Sequence, residues 1–245
     1  MFNFSRPPMT WNEAFPYTFK NLRKKFNIPE SSELAMVEQC RADDSELCLE
    51  MTSAPFSLTE AQMHHAASRY LLGKSRSGKT IYWMIDERGN CLDGHVGSGS
   101  HAADTWVSQM LKHRYPEVAQ YITPSHCLFG LHLIREVEGV AIVEKESSAV
   151  ILSELYPQSL WLATVYPANL NEHLFEPLQG HPVMMFPPTD ETMDTYLSWL
   201  EVANQARRKY HLDITVSTLL EDHATPAQKQ QNIDLLDYYL YTYAP

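Results

Sequence analysis

The sequence has no apolar run approaching the roughly 20 residues of a membrane-spanning helix. Met1 to Arg6 lacks the basic-then-apolar pattern of a signal peptide. Membrane and secreted classes are therefore set aside, and a cytoplasmic location is expected. Cysteine is scarce: the four are Cys40, Cys48, Cys91 and Cys127, and none forms a Cys-x-x-Cys pair. That excludes a zinc ribbon, and the spacings are unlike a secreted disulfide framework. Free thiols in a reducing compartment are expected. Positive charge is also short, with 19 Lys and Arg against 30 Asp and Glu and a formal net charge of −11. Non-specific DNA affinity comes from Lys and Arg neutralising phosphates. Indiscriminate DNA binding is thus disfavoured, while a local basic patch stays open.

What is present is the material of a globular protein. The chain has 245 residues, 44% hydrophobic and 20% charged, enough for a sizeable core in one large domain or two small ones. The most informative stretch runs from Val140 to Asp190. Val140-Ala141-Ile142-Val143 is a short apolar run ending on Glu144, as expected of a buried parallel strand. Ala149, Val150, Leu152 and Leu155 then recur at roughly helical spacing over Glu146–Leu155. Two more apolar runs follow, Leu160 to Thr164 and Pro182 to Phe186, the latter closed by Pro187-Pro188-Thr189-Asp190. This alternation predicts an α/β unit with a parallel sheet flanked by helices. Ligands of such sheets sit beyond the carboxyl ends of the strands, which is where Glu144 and Asp190 fall.

Val140 to Glu144, Trp161 to Thr164 and Phe186 to Asp190, with Ile81 to Asp86 and Leu128 to Ile134 upstream, carry a resemblance. Over roughly residues 57 to 240 the chain resembles the Toprim-like proteins encoded with primases and mobilisation genes on bacterial mobile elements. The resemblance implies a strand-end Glu for acid–base chemistry, at Glu144, and an Asp-x-Asp pair holding magnesium. Here Pro188 occupies the first Asp position and only Asp190 remains. Val165-Tyr166 stand where glycines are typical. Asp194, one turn beyond Asp190, is a substitute metal ligand under this reading. The competing role of Asp190 is to cap the helix that follows. Magnesium is thus expected to bind weakly or not at all. The resemblance implies DNA or a replication or mobilisation protein as partner, with oligomeric state left open. A degenerate, non-catalytic binding factor in mobile-element DNA processing is one expectation. A magnesium-dependent phosphoryl-transfer enzyme, with Glu144 moving protons and Glu146 as a further metal-positioning carboxylate, is another. A pure protein-interaction module is the third.

Domain boundaries are expected at 1–56 (helical), 57–136 (an α+β region with a β-hairpin) and 137–245 (the α/β unit). In the first, Thr10 and Glu13 suit a capping box, followed by Phe15, Phe19, Leu22 and Phe26 at helical intervals among Lys20, Arg23, Lys24 and Lys25. A second helix is expected over 32–41, then an acidic connector over 42–56. Ser57 and Glu60 suit another capping box, with Gly73 as the helix C-cap. Gly73-Lys74-Ser75-Arg76-Ser77-Gly78-Lys79-Thr80 matches the Walker A expression. A phosphate-binding loop must follow a strand and open a helix; here a helix comes first and a strand follows. No nucleotide is expected there, although Lys74, Arg76 and Lys79 are candidates for non-specific phosphate contact. Ile81 to Ile85 and Cys91 to Val96 read as the hairpin. Gly94, His95, Gly97, Gly99 and His101 read as a mobile loop, with a His-x5-His metal site as the alternative. Asp104 is expected to cap a helix over 105–115, and Cys127 to be a buried structural thiol. One long helix is expected from Asp190 to Tyr210, a strand over 213–217 and an acidic loop at Glu221-Asp222. A last helix is expected from Thr225, ending in Tyr238, Tyr239, Tyr241 and Tyr243.

Overall fold

The computed structural model describes residues 41–75, 77–97, 105–114, 126–136, 139–165 and 170–243. The helices expected over 10–26 and 32–41 lie outside them, except for Arg41, which forms an isolated bridge with Gly73; Arg76, Gly99, His101 and Asp104 also lie outside. The described chain contains α1 (Glu46–Met51), α2 (Glu60–Arg69), β1 (Gly73–Lys74), β2 (Thr80–Ile85), β3 (Cys91–Gly97), β4 (Thr105–Trp106) and α3 (Val107–Arg114). After a 3-10 helix at Leu131–Glu136 come β5 (Val140–Val143), α4 (Glu146–Leu155), β6 (Leu160–Ala163) and a second 3-10 helix at Glu172–Leu178. Then follow β7 (Val183–Met185), α5 (Asp194–Tyr210), β8 (Ile214–Val216), α6 (Leu219–His223), α7 (Pro226–Gln230) and α8 (Leu235–Tyr243).

These form two sheets. The first is antiparallel in the order β1-β2-β3-β4; the second is parallel in the order β6-β5-β7-β8. The expected architecture, an α+β hairpin region followed by a helix-flanked parallel sheet, is therefore present. The hairpin turn is organised by Asp86, whose carboxylate accepts from the backbone of Arg88 and Asn90. In the parallel sheet Val140, Leu160, Val183 and Ile214 align, as do Ile142, Leu162 and Met185, and all are buried. Burial on this scale explains why the runs are continuous rather than alternating. One cluster of buried side chains joins α1, α2, β2 and the parallel sheet.

Several local expectations are corrected. Residues 46–51 are a helix, not a connector, because Leu47, Cys48 and Met51 pack inward while Glu50 stays exposed. The cap of α2 is Thr59 paired with Gln62, both reciprocal bonds being made, rather than Ser57 with Glu60. Gly73 is not its C-cap: it pairs with Ile81 and bridges Arg41, and Leu71 takes the left-handed conformation instead (φ 54°). Thr105 and Trp106 pair with β3, so the next helix begins only at Val107. Gly94, His95 and Gly97 lie within β3 and are buried, not in a mobile loop. At Gly94 the reason is steric, since a Cβ there would sit 2.9 Å from the Trp83 ring. Glu221 and Asp222 belong to α6, and the last helix is split, with Asn232 (φ 51°) between α7 and α8.

Candidate functional site

The carboxyl end of β5 delivers Glu144, Lys145 and Glu146 in sequence, and each has a different fate. Glu144 is half-buried, and its backbone carbonyl accepts from Val165 (2.8 Å), which holds a left-handed conformation (φ 75°). Burial pushes its carboxyl up to about 7, opposed by Lys145 and reinforced by the negative charges of Asp234 and Glu146. A carboxyl poised near neutrality is what a general acid or base requires.

Glu146 opens α4 and is buried. Its Oε1 lies 2.5 Å from Nδ1 of His95, whose side chain is only 2% exposed. The imidazole sits between the Trp106 ring (centroids 5.0 Å apart) and that of Tyr82 (6.2 Å). His126 packs on Trp106 (4.5 Å), and burial together with the charge of His95 holds it below the usual histidine value. This pair ties the antiparallel sheet to the parallel unit.

Lys145 turns the other way, to Asp234 (3.3 Å) and Asp237 (3.5 Å). Burial works against its ammonium, but the two carboxylates outweigh that and hold its pKa above the ordinary lysine value. Asp234 is buried and also accepts from Ser148 Oγ (2.7 Å). Its other oxygen takes the Asp237 amide (2.9 Å), and Asp237 returns the contact to the Asp234 amide (3.1 Å). That reciprocal arrangement starts α8.

At the end of β7, Pro188 and Thr189 are buried, and the Thr189 hydroxyl donates to Glu221 (2.7 Å), which pairs with Lys229 (2.7 Å). Asp190 caps α5. Its Oδ1 accepts from the amides of Thr192 (2.8 Å) and Asp194 (3.2 Å) and its Oδ2 from that of Thr195 (2.7 Å). Burial opposes ionisation, but these bonds outweigh it and hold the carboxyl well below the usual range. Asp194 is exposed and meets Asp190 through the Thr192 hydroxyl, which contacts both. The structure therefore groups Glu144 with Glu146 and Asp234, and Asp190 with Asp194. Among the described residues no three His, Cys, Asp or Glu side chains are arranged to hold a metal ion.

The Walker-like stretch joins β1 to β2, so its strand-before-helix context is missing, as expected. Lys74 is paired with Asp44, and Lys79 precedes β2. Cys127 is buried and its thiol is pushed up by that burial, consistent with a structural role. Sequence reasoning missed the pairing of His95 with Glu146 and missed Asp234 and Asp237 altogether. The partners of His95 and Asp234 lie 51 and 86 residues away, so no local pattern marks them.

The raised Glu144 carboxyl has a signed consequence for stability. Its folded pKa, near 7, lies above the 4.5 of an exposed glutamate. Its contribution is therefore full below about pH 4.5 and is lost as pH rises through about 7. Asp93, raised by burial to about 7, acts in the same direction. Glu144→Gln is expected to flatten this decline and to raise Tm at pH 8 while leaving Tm at pH 4.5 nearly unchanged. Thermal melts across that range check it; a lower Tm at pH 8 would contradict it.

Fold and site together define a class: a two-sheet α/β protein with an acidic, partly neutralised cluster at the carboxyl ends of its parallel strands. The chain belongs to the family described as a domain of unknown function, DUF6371, whose model matches residues 49–189. No curated protein matches it. Among solved structures it is similar to the primase fragment of the bacteriophage T7 primase-helicase protein. That match has 14% identity and a TM-score of 0.43, and covers 68% of this chain and 70% of the other.

Proposed function

We propose that this chain is a degenerate Toprim-like module that serves mobile-element DNA processing by binding, to nucleic acid or to a replication or mobilisation protein, and not by metal-dependent phosphoryl transfer. One observation carries this reading: the Asp190 carboxylate is committed to three backbone amides, that of Thr192 and those of Asp194 and Thr195 in the first turn of α5. A magnesium ion is usually held by one or two carboxylates plus substrate phosphates. Here one carboxylate is engaged as a helix cap, its expected neighbour is Pro188, and burial disfavours the charged form of Glu144. Lys145 and His95 meet the remaining acids. The charge of −11 restricts any DNA contact to a local patch, for which Lys74, Arg76 and Lys79 are the candidates.

Calorimetric titration with manganese up to millimolar concentration is expected to show no saturable site that disappears in Asp190→Asn. A single-stranded oligonucleotide followed by fluorescence anisotropy is expected to bind weakly at low salt and to be released as salt rises. No binding at low salt would leave a protein partner, sought by pull-down in nuclease-treated extract.

A second reading is favoured by Glu144 itself, whose carboxyl near 7 suits proton transfer in an active enzyme. It predicts metal-dependent cleavage or primer synthesis that Glu144→Gln abolishes. Activity unchanged in that variant would remove it.

A further inference from the structure

Two residues before His95, β3 carries a second buried acid. Asp93 has no exposed surface and stands opposite Met84 of β2. Its Oδ1 accepts from the amides of Gly94 (2.6 Å) and Ser108 (3.4 Å). Its Oδ2 is buried and has no hydrogen-bond partner among the described residues. The bond to Ser108 reaches the first turn of α3. That helix follows directly on Trp106, whose indole donates but cannot accept. Asp93 therefore serves, from a neighbouring strand, an amide that a preceding Ser, Thr, Asn or Asp would otherwise cap.

A charge at this position is poorly supported. A carboxylate buried without full pairing is costly, and such a group holds its proton instead. His95 favours ionisation, but Glu146 meets that imidazole at 2.5 Å. The groups that β2 and α3 set against Asp93, Met84 and Ser108, are uncharged. Burial accordingly outweighs the two amides and pushes the carboxyl up to about 7.

Asp93 ionises readily only where water reaches Oδ2, and the surrounding elements resist that unequally. β2 and β3 pair along the whole of β2, from Thr80 to Ile85. β4 is held to β3 only by Trp106 opposite His95 and Thr105 opposite Val96. The weak element is thus β4 with the helix that follows it. We propose that Asp93 is a proton-operated latch on β4 and α3: protonated, it holds the start of α3 against the first sheet, and ionised, it lets this element lift. Lifting takes Trp106 off His95 (5.0 Å) and His126 (4.5 Å) and opens the His95–Glu146 pair to water.

The sign follows from linkage. In the lifted form the carboxyl returns toward the ordinary aspartate value of 3.8, against about 7 when closed. Opening therefore releases a proton between those values, and its equilibrium constant rises by about tenfold per pH unit there and levels off above.

Hydrogen exchange of the full chain, read by mass spectrometry and divided by the intrinsic rate at each pH, measures that constant. From pH 5 to pH 7 peptides covering Val107–Arg114 are expected to gain at least tenfold. At pH 7 they are expected to open at least tenfold more than peptides covering Asp194–Tyr210, which separates lifting from global unfolding. Asp93→Asn, isosteric with the protonated acid, is expected to cut the rise below twofold, and Glu144→Gln to preserve it. No rise in the α3 peptides, or equal opening of the two helices at pH 7, would overturn the proposal from the unsubstituted chain alone. A rise that survives in folded Asp93→Asn, or disappears in Glu144→Gln, would overturn it as well.

Discussion

His95→Ala is expected to destabilise the fold by about 3–5 kcal/mol, the range seen when one partner of a buried ion pair is removed. The imidazole and the Glu146 carboxylate are both almost solvent-free, at 2% and 5% side-chain exposure. Deleting the ring leaves a carboxylate buried without its partner and opens space between Trp106 and Tyr82. Both effects act at the seam between the two sheets. Urea unfolding followed by fluorescence, with the slope checked for constancy, measures the loss. A double substitution separates the lost partner from the lost volume. His95→Phe with Glu146→Leu removes both polar partners at similar volume and is expected to recover much of the stability, because the cost lies in the uncompensated charge. A loss below about 1 kcal/mol for His95→Ala would mean that water or another group satisfies Glu146.

Gly130→Ala is expected to cost about 2–4 kcal/mol, combining a left-handed backbone penalty with overpacking. Gly130 has φ 83°, and a Cβ there would lie 3.0 Å from the Tyr70 ring, 3.1 Å from Leu162 and 3.2 Å from the Trp161 carbonyl oxygen. The first neighbour is not free to retreat. Tyr70 donates its hydroxyl to that same carbonyl (2.8 Å) and stacks on Phe129 (5.3 Å). Phe129 in turn bridges Ala163 at the end of β6. The Leu128 to Ile134 stretch, which stood out in the sequence as part of a family resemblance, is thus a structural brace at the β6 edge of the parallel sheet. Gly139→Ala is the control, since no atom lies within 4 Å of a Cβ at that position and near-neutral behaviour is expected. Equal losses at the two glycines, measured by thermal or urea unfolding, would remove the steric explanation.

The ends of α4 and α5 show how far local sequence reaches. Glu146–Leu155 was readable as a helix to the residue, because its apolar spacing and flanking strands agree. The helix-capping role of Asp190 was also readable, since a short acid ahead of an amphipathic stretch satisfies amides within five residues of itself. Around β3 the reading failed. Gly94 and Gly97 suggested a flexible loop, yet both lie in β3, and at Gly94 the Trp83 ring leaves no room for a side chain. The metal-site reading of His95 missed its actual partner on α4.

The alternation of strands and helices from Val140 to Tyr210, the parallel sheet and the placing of Glu144 at a strand end were all determined by the sequence itself. Each rests on periodicity or composition within a dozen residues, where local sterics and burial leave a visible mark. Which charges meet was decided only by the tertiary structure. His95 reaches Glu146, and Lys145 and Ser148 reach Asp234, across tens of residues of chain. Such contacts arise when separately formed elements pack, and that packing sets whether each carboxylate near the site is neutralised, capped or left to titrate.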